Sequence, residues 1–185
     1  MDDLKNCRIL IVDDTKTNID VLIQALRNSY KLGVALNGAK AIEYARTNHP
    51  DLILLDIVMP EMDGFKVCQN LKDDPATEDI PIIFITAMES PEDKTAGFGM
   101  GAVDYITKPF DITEVKARVK THLSLKIAQE ALKNQNVILE EKVRERTREL
   151  EEAQIEILER LEMAAEYRDE KTGKHIRRIS EYCRL

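Results

Sequence analysis

Residues 8–14 read RILIVDD, a short apolar run that ends in two aspartates. Such a run is too short for a core helix, and its β-branched residues favour a buried strand. Similar runs occur at 52–55, 82–85 and 103–106, each bounded by turn or helix-start residues. Short apolar runs that alternate with amphipathic segments are typical of a parallel sheet covered by helices. The sequence therefore predicts an α/β fold.

The alternation continues from residue 8 to about residue 120 and accommodates five strand–helix units. We expect a doubly wound, five-stranded parallel sheet with helices on both faces. The second strand is the weakest of these predictions, because Gly33 would lie inside it and glycine weakens a strand. The expected strands are 8–12, 31–36, 51–56, 81–86 and 102–106, and the expected helices are 16–28, 38–48, 63–72, 91–99 and 111 onward.

Polar residues stand at the carboxyl ends of four of these strands: Asp13 and Asp14 after the first, Asp56 at the end of the third, Thr86 at the end of the fourth and Lys108 after the fifth. In a doubly wound sheet these strand ends meet at the crevice where the strand order reverses, here between the first and third strands. Carboxylates ~4 Å apart repel each other by roughly 4 kcal/mol per pair at an effective dielectric of about 20. A divalent cation is therefore expected among the three aspartates.

This combination of residues suits the transfer of a phosphoryl group to a carboxylate. Asp56 is the expected acceptor, since a carboxylate accepts a phosphoryl group when nearby cations offset the charge of the incoming anion. Mg²⁺, with Mn²⁺ as the alternative, is the expected metal, and Asp14 and Asp56 are its expected direct ligands. The ammonium of Lys108 and the hydroxyl of Thr86 would bind the phosphoryl oxygens. The sequence also permits a cis peptide bond before Pro109.

Taken together, residues 7–120 resemble the receiver domain of two-component response regulators. The resemblance implies the flavodoxin-like strand order 2-1-3-4-5, and it implies that a sensor histidine kinase is the phosphoryl donor for Asp56. The segments that carry it are ILIVDD at 9–14, DLILLDIVMP at 51–60, DG at 63–64, ITA at 85–87 and DYITKPF at 104–110.

The resemblance also implies roles for individual residues. Asp13 and Asp14 would arrange Mg²⁺ beside the acceptor, with help from the backbone carbonyl of Val58. Thr86 would move toward the bound phosphoryl group, and Tyr105 would follow inward. On this reading Thr86 and Tyr105 together report whether the acceptor is phosphorylated.

A long helix is predicted after Asp111, because no Pro or Gly follows until Gly173. Apolar residues recur in it at alternating spacings of three and four, which is typical of a coiled-coil seam and predicts a parallel homodimer. The step from Val143 to Thr147 is a second consecutive four-residue step, so the heptad register slips there by a stutter. The alternative is a lone solvated helix, because charged residues are plentiful all round it. The seam comprises Leu125, Gln129, Leu132, Asn136, Leu139, Val143, Thr147, Leu150, Gln154, Ile157, Leu161 and Ala164.

Residues 164–185 resemble the opening of an HD-GYP domain, a metal-dependent cyclic-di-GMP phosphodiesterase. In that family the histidine of a Thr-Gly-x-His segment, here His175, can be a metal ligand. Some members carry a glutamate four residues earlier, where this chain has Lys171, and the HD pair and GYP segment that define the catalytic domain do not occur in it. The expected divisions are a receiver at 1–121, a coiled-coil helix at 122–166 and a truncated HD-GYP start at 167–185.

Composition argues against several other classes of protein. The formal net charge is −7 and the basic residues of 144–148 are interspersed with glutamates, so no DNA binding is expected. The three cysteines are widely spaced, which disfavours a disulfide framework or a zinc site and fits a reducing cytoplasm. The sequence has no signal-peptide pattern and no apolar run of about 18 residues, so a membrane span is not expected.

The favoured function is a phosphorylation-dependent switch whose own chemistry is limited to accepting a phosphoryl group and losing it to water. The alternatives are a truncated phosphodiesterase regulator, a dimerising scaffold, and a stand-alone receiver without enzymatic output. Aspartyl-nucleophile phosphatases share the acceptor chemistry but carry an Asp-x-Asp motif, whereas Ile57, Val58 and Met59 follow Asp56. Apart from its own phosphorylation and dephosphorylation, the chain is therefore not expected to be an enzyme.

Overall fold

The computed structural model describes residues 3–87 and 100–182, so the predicted helix at 91–99 lies outside the described residues. Five strands and four α-helices follow a short 3-10 helix at Asp3–Asn6. Most of their ends lie within two residues of the sequence prediction. The strands are β1 Arg8–Val12, β2 Lys31–Ala35, β3 Leu52–Asp56, β4 Ile82–Thr86 and β5 Asp104–Thr107, and the helices are α1 Lys16–Leu26, α2 Gly38–Asn48, α3 Gly64–Lys72 and α4 Ile112–Tyr182.

The strands form one parallel sheet in the order β2-β1-β3-β4-β5, which confirms the predicted fold class. The strand order reverses between β1 and β3. The carboxyl ends of these two strands lie side by side, since Val12 pairs with Leu55. Further along the sheet, Asp56 lies beside Ile85. The polar residues that end these strands therefore reach the same edge of the sheet.

Both faces of the sheet are buried, which explains why its strands read as continuous apolar runs rather than alternating ones. Alternate residues of β1 and β3 point to opposite faces, since successive side chains of a strand do so. One face is covered by α2 and α3 and the other by α1 and α4. The first core includes Leu10, Val12, Ile53, Leu55, Ala41 and Val67; the second includes Ile9, Ile11, Leu52, Leu54, Leu22 and Val119.

Gly33 explains how the weakly predicted β2 fits the sheet. A Cβ at Gly33 would overlap the ring of Tyr44, which comes from α2. The glycine thus weakens the strand as an isolated element but gives the aromatic ring a place to pack. The presence of β2 is confirmed by its pairing with β1 along all five of its residues.

The first part of α4 belongs to the first of two compact units, which runs to Glu130. Val115, Val119 and Leu123 follow one another at four-residue spacing and are fully buried against the sheet. Ile127 is partly buried against the same core, and Lys126 Nζ lies 3.3 Å from a carboxylate oxygen of Asp51. The packing of the helix therefore extends past residue 121, the expected end of the domain.

The second unit begins at Ala131 and consists of the rest of α4. The helix continues without a break through Gly173 to Tyr182, although the sequence pattern changes at that glycine. One glycine inside a helix costs only about 1 kcal/mol relative to alanine, so its neighbours can carry the helix across it. Within the parts of the chain that the structure describes, no helix pairs the length with the apolar character that crossing a bilayer requires.

A charged cluster joins β5 to α4. The guanidinium of Arg118 donates to both carboxylate oxygens of Asp104, at 2.7 and 2.8 Å, and also pairs with Glu114 one turn earlier. His122 Nε2 lies 3.0 Å from Asp104 Oδ2. Burial of Asp104 acts to raise its pKa, but the hydrogen bonds from Arg118, His122 and the Tyr105 amide outweigh burial, so the pKa is lowered.

Replacing Arg118 with methionine should destabilise the first unit. Asp104 would keep its burial but lose both hydrogen bonds from the guanidinium, which should lower the free energy of unfolding by about 1–3 kcal/mol in urea titrations. Arg148→Met is the matched control, because Arg148 pairs with Glu152 on the same helix while 79% exposed. That control should cost less than about 0.5 kcal/mol.

The destabilisation by Arg118→Met should also depend on pH. Because the folded pKa of Asp104 is lowered, its stabilising contribution is complete above the unfolded value of about 3.9 and is lost as the pH falls through the folded value. The difference in the free energy of unfolding between the native chain and the variant should therefore stay constant from neutral pH to about pH 4 and decrease below pH 4. A difference in the free energy of unfolding that keeps its neutral-pH size well below pH 4 would contradict the assignment to Asp104.

Candidate functional site

The predicted site residues meet at the carboxyl edge of the sheet. Asp13, Asp56 and Thr86 are almost fully buried, at 0%, 3% and 3% exposure, whereas Asp14 is exposed. Carboxylate oxygens of Asp13, Asp14 and Asp56 all lie within 4.8 Å of one another. The close approach predicted from the strand ends therefore occurs, although more than 40 residues of sequence separate Asp14 from Asp56.

Lys108 joins the two buried aspartates. Its Nζ donates to Asp13 Oδ2 at 2.9 Å and to Asp56 Oδ2 at 2.8 Å. The backbone holds this side chain in place, since the Lys108 amide donates to the Thr86 carbonyl at 2.6 Å. The Lys108–Pro109 peptide bond is cis, as the sequence permits. One ammonium thus bridges the ends of β1 and β3.

Burial and the charge of the partner act in opposite directions on the pKa values of Asp56 and Lys108. Burial raises the pKa of Asp56, and the nearby carboxylate of Asp13 raises it further, while Lys108 opposes both; the net pKa is raised. Burial would lower the pKa of Lys108, but its bonds to Asp56 and Asp13 outweigh burial and the pKa is raised. The lysine is therefore held in its charged form by the two aspartates.

Asn18 is a site residue that the sequence analysis missed. Its Nδ2 donates to both carboxylate oxygens of Asp13, at 3.1 and 2.9 Å, and the Thr15 amide donates to Oδ1 at 2.8 Å. Asn18 lies in the first turn of α1, where it faces back toward the end of β1. The signal in the sequence is an asparagine five residues after a strand-end aspartate, at the start of a helix. Its effect is to hold Asp13 in one orientation.

Gly64 allows the loop after Asp56 to close tightly. The Gly64 amide donates to the Ile57 carbonyl at 2.9 Å, and a Cβ at Gly64 would overlap the carbonyl oxygen of Asp56. Asp63 caps α3 by accepting from the Lys66 amide at 2.7 Å. The glycine therefore serves backbone geometry.

The two residues expected to report the site's state lie on neighbouring strands. Thr86 ends β4 beside Thr107, and Tyr105 is partly buried on β5 against the core. The guanidinium carbon of Arg118 lies 6.0 Å from the centre of the Tyr105 ring, within reach of a cation–π interaction. Tyr105 therefore contacts the core on one side and a residue of α4 on the other.

The donor set fits a hard divalent cation. Three carboxylates carry three negative charges against one positive charge on Lys108, which leaves two negative charges to be offset. Oxygen ligands and partial exposure, through Asp14, are what Mg²⁺ prefers, since it keeps several of its waters. The Val58 amide lies 3.4 Å from Asp56 Oδ1. That the backbone carbonyl of Val58 is a further metal ligand stays a prediction.

The histidines lie away from this cluster or outside the description. His122 belongs to the Asp104 cluster, and His49 ends α2 with φ of 42°. The side chain of His175 lies outside the described residues. In the part of the chain that the structure describes, the three aspartates form the group suited to a metal ion.

Residues 9–120 match the family model described as the response regulator receiver domain. The chain is 44% identical over all of its 185 residues to a probable cyclic di-GMP phosphodiesterase of Vibrio cholerae, of which it covers 42%. It is 41% identical over 129 residues to the response regulator PleD of Caulobacter vibrioides, covering 69% of this chain and 28% of PleD. The chain thus spans less than half the length of these relatives.

Solved structures share the fold of the first unit. A putative response regulator from Chloroflexus aurantiacus superposes with a TM-score of 0.62 at 36% sequence identity. The match covers 65% of this chain and 99% of that structure, so it takes in the sheet and its helices but not the length of α4.

Removal of the exposed carboxylate should weaken magnesium binding without harming the fold. Asp14→Asn takes one charged ligand from the cluster, and we expect its magnesium affinity to fall by about tenfold or more. Calorimetric unfolding with and without MgCl₂ would measure this, since a ligand of the native state raises the midpoint. Asp20→Asn, an exposed aspartate of α1, should behave as the native chain. Equal magnesium stabilisation of both variants would contradict the assigned ligand.

Proposed function

The chain belongs to the response regulator receiver family, and on that premise we propose that it is a phosphorylation-dependent switch whose acceptor is Asp56. The observation that carries the proposal is the buried Asp56 carboxylate bonded to Lys108 beside Asp13 and Asp14. Receiver domains interact with histidine kinases and bind Mg²⁺ in an acidic pocket. A sensor histidine kinase is therefore the proposed phosphoryl donor.

In the proposed reaction a carboxylate oxygen of Asp56 attacks the phosphorus of a phosphohistidine. The P–O bond forms as the P–N bond breaks, and the imidazole leaves with the bonding electron pair. Lys108, which bonds to Asp56 in the resting site, turns to the phosphoryl oxygens, while Asn18 keeps Asp13 oriented. A bound Mg²⁺, held by Asp13, Asp14, Asp56 and the Val58 carbonyl, would neutralise charge on the group in transfer.

Readout of the phosphorylated state is assigned to Thr86 and Tyr105. The Thr86 hydroxyl would donate to a phosphoryl oxygen, which suits its buried place at the end of β4. The space that the threonine leaves would be taken by Tyr105 on the neighbouring strand. Support for this role comes from the alignment of Thr86 with Thr107, two residues from Tyr105.

Strand β5 offers a direct connection from the site to α4. Lys108 follows the strand at the acceptor, and Asp104 begins it in the cluster with Arg118 and His122 of the helix. A shift of Lys108 toward a phosphoryl group would pull on a strand of four residues whose other end holds the helix. We propose that α4 passes this change onward as one arm of a homodimeric coiled coil.

The proposed output is cyclic-di-GMP hydrolysis by an HD-GYP domain in the whole protein. The relative from Vibrio cholerae supports this, because its similarity extends over the whole chain, beyond the receiver to residues 167–185. The alternatives are a dimerising scaffold or a stand-alone regulatory receiver. No nucleic-acid partner is proposed, given the net charge of −7, and the burial of the cysteines Cys7 and Cys68 suits a reducing cytoplasm.

Acetyl phosphate with Mg²⁺ should phosphorylate the chain once. Mass spectrometry should find an adduct on Asp56 that is lost in acid or hydroxylamine, because an acyl phosphate is hydrolytically labile. Asp56→Asn should carry no adduct, and Asp20→Asn should be labelled like the native chain. An Asp56→Asn variant labelled to the native extent, or no labelling of either, would reject Asp56 as acceptor.

The phosphoryl mimic beryllofluoride should alter pairing of the helix. Coupling free energies between sites are commonly 1–3 kcal/mol, so we expect the dimerisation constant to change by about 5- to 150-fold in sedimentation equilibrium. The same treatment of Asp56→Asn is the control and should have no effect. If both self-association and the geometry of the helix pair stayed unchanged in the native chain, transmission through α4 would be ruled out.

A further inference from the structure

The second unit presents a row of large apolar side chains along one face of α4. Six of them are between 57% and 64% exposed in the single chain, in a segment otherwise rich in charge. Such a continuous apolar row on an isolated helix marks a surface for another helix. The six are the large apolar residues of the predicted seam within the second unit: Leu132, Leu139, Val143, Leu150, Ile157 and Leu161.

The seam repeats after 18 residues. Leu132 and Leu150, Leu139 and Ile157, and Val143 and Leu161 are each separated by this distance. At 3.6 residues per turn, 18 residues make five full turns of an α-helix. Each residue of the seam therefore stands directly above its counterpart on a straight helix.

This spacing differs in its consequence from a strict heptad pattern. A seven-residue repeat drifts by about 20° per heptad on a straight helix, and the helices must supercoil to keep it in contact. The four-residue step from Val143 to Thr147 cancels that drift across the described seam. Two such helices can pack along their seams without a net supercoil.

Charged residues beside the seam distinguish the two orientations of a partner helix. On one flank lie Lys142, Arg146 and Arg160, and on the other lie Glu140 and Glu151. A parallel pair sets each flank of one helix against the opposite flank of its partner, whereas an antiparallel pair sets like flanks together. Parallel packing thus brings the basic flank to the acidic one.

Two features qualify this charge pattern. Lys133 lies on the acidic flank and Glu149 lies on the basic flank, at the same angle from the seam as Glu151, so the match between the flanks is partial. In the single chain Arg146 bonds to Glu149 at 2.6 Å and Arg160 bonds to Glu156 at 2.5 Å, with both arginines more than 70% exposed. Exposed pairs of this kind contribute about 0.2–1 kcal/mol, so they do not prevent exchange for a partner's carboxylate.

We infer that the seam of α4 is the contact surface for a second copy of this chain, in a parallel, in-register and essentially straight helix pair. The inference rests on the homodimer of the proposed function and on the parallel orientation that the sequence predicts, and it adds the register and the lack of a net supercoil. A straight pair keeps the rotational setting of each helix constant from Leu132 to Leu161. A rotation imposed at one end is thereby delivered at the other.

Cysteine cross-linking of the full chain tests the register. The background variant is Cys183→Ser, in which the remaining native cysteines Cys7 and Cys68 are buried. Into it a single cysteine is introduced in place of Leu139, Leu161, Arg160 or Ile155, and each variant is then exposed to mild oxidation. Leu161 lies on the straight seam, whereas its neighbour Arg160 would take that place if the heptads continued from Leu139 without the four-residue step. Ile155 is equally apolar and 57% exposed, but it faces away from the seam.

Cysteines at Leu139 and Leu161 should both form disulfide-linked dimers, at least about tenfold faster than those at Arg160 and Ile155, because a disulfide needs Cα atoms within about 7 Å. An antiparallel pair can bring only one of the two seam positions opposite itself. Cross-linking at only one of them would therefore overturn the orientation. Faster cross-linking at Arg160 than at Leu161 would overturn the straight register while leaving the dimer intact.

Sedimentation equilibrium of the reduced variants separates these failures from failure of the proposed function. A native chain that stays monomeric at all concentrations would remove the homodimer and this inference with it. A dimeric chain whose four cysteines cross-link equally would keep the homodimer and overturn the seam as its contact surface.

Discussion

The ion pairs from one lysine to two buried aspartates are the interaction on which the geometry of the site depends. Lys108 Nζ lies within 3 Å of oxygens on both Asp13 and Asp56, which are nearly inaccessible to solvent. Buried carboxylates are costly unless paired, and removing the partner of a buried ion pair costs about 3–5 kcal/mol. The parallel sheet makes the bridge geometrically feasible, since it brings the ends of β1, β3 and β5 to one edge. The bridge in turn places a positive charge directly beside the Asp56 carboxylate.

The same residue connects the site to the long helix through one short strand. Lys108 and Asp104 stand at the two ends of β5, and each is held by charged bonds rather than by apolar packing alone. Charged bonds have defined partners, so a change of partner at one end is a discrete event. Tyr105 lies between them, beside Arg118. The arrangement thus places Asp104 and Tyr105 on one strand and Lys108 directly after it.

Much of the fold was predictable because both faces of the sheet are buried. A strand buried on both faces must be apolar throughout, so the runs around Leu10, Leu54 and Ile83 mark their strands within a residue or so. The aspartates were predictable for a related reason, since the end of a parallel strand has a known direction. Strand β2 was harder to predict because it contains Gly33. The reason for this glycine is the Tyr44 ring, which belongs to another element and would overlap a Cβ at this position.

The parts that sequence reasoning missed depend on how elements face one another. Asn18 reaches Asp13 only because the first turn of α1 leans back over the end of β1. Arg118 and His122 share a helix face by their four-residue spacing, but their partner Asp104 is set by where α4 lies on β5. The helix α4 continues through Gly173 because helix formation is cooperative, so one residue of low helix propensity does not end a long helix.

A double-mutant cycle between Lys108 and Asp56 tests the role of the bridge most directly. Unfolding by urea in the presence of EDTA would be measured for the native chain, Lys108→Met, Asp56→Asn and the double variant. If the ammonium is what permits the buried carboxylates, Lys108→Met alone should be strongly destabilised, and adding Asp56→Asn should recover part of the loss. We expect a coupling free energy of about 1.5 kcal/mol or more, whereas effects that add within about 0.5 kcal/mol would contradict the bridge.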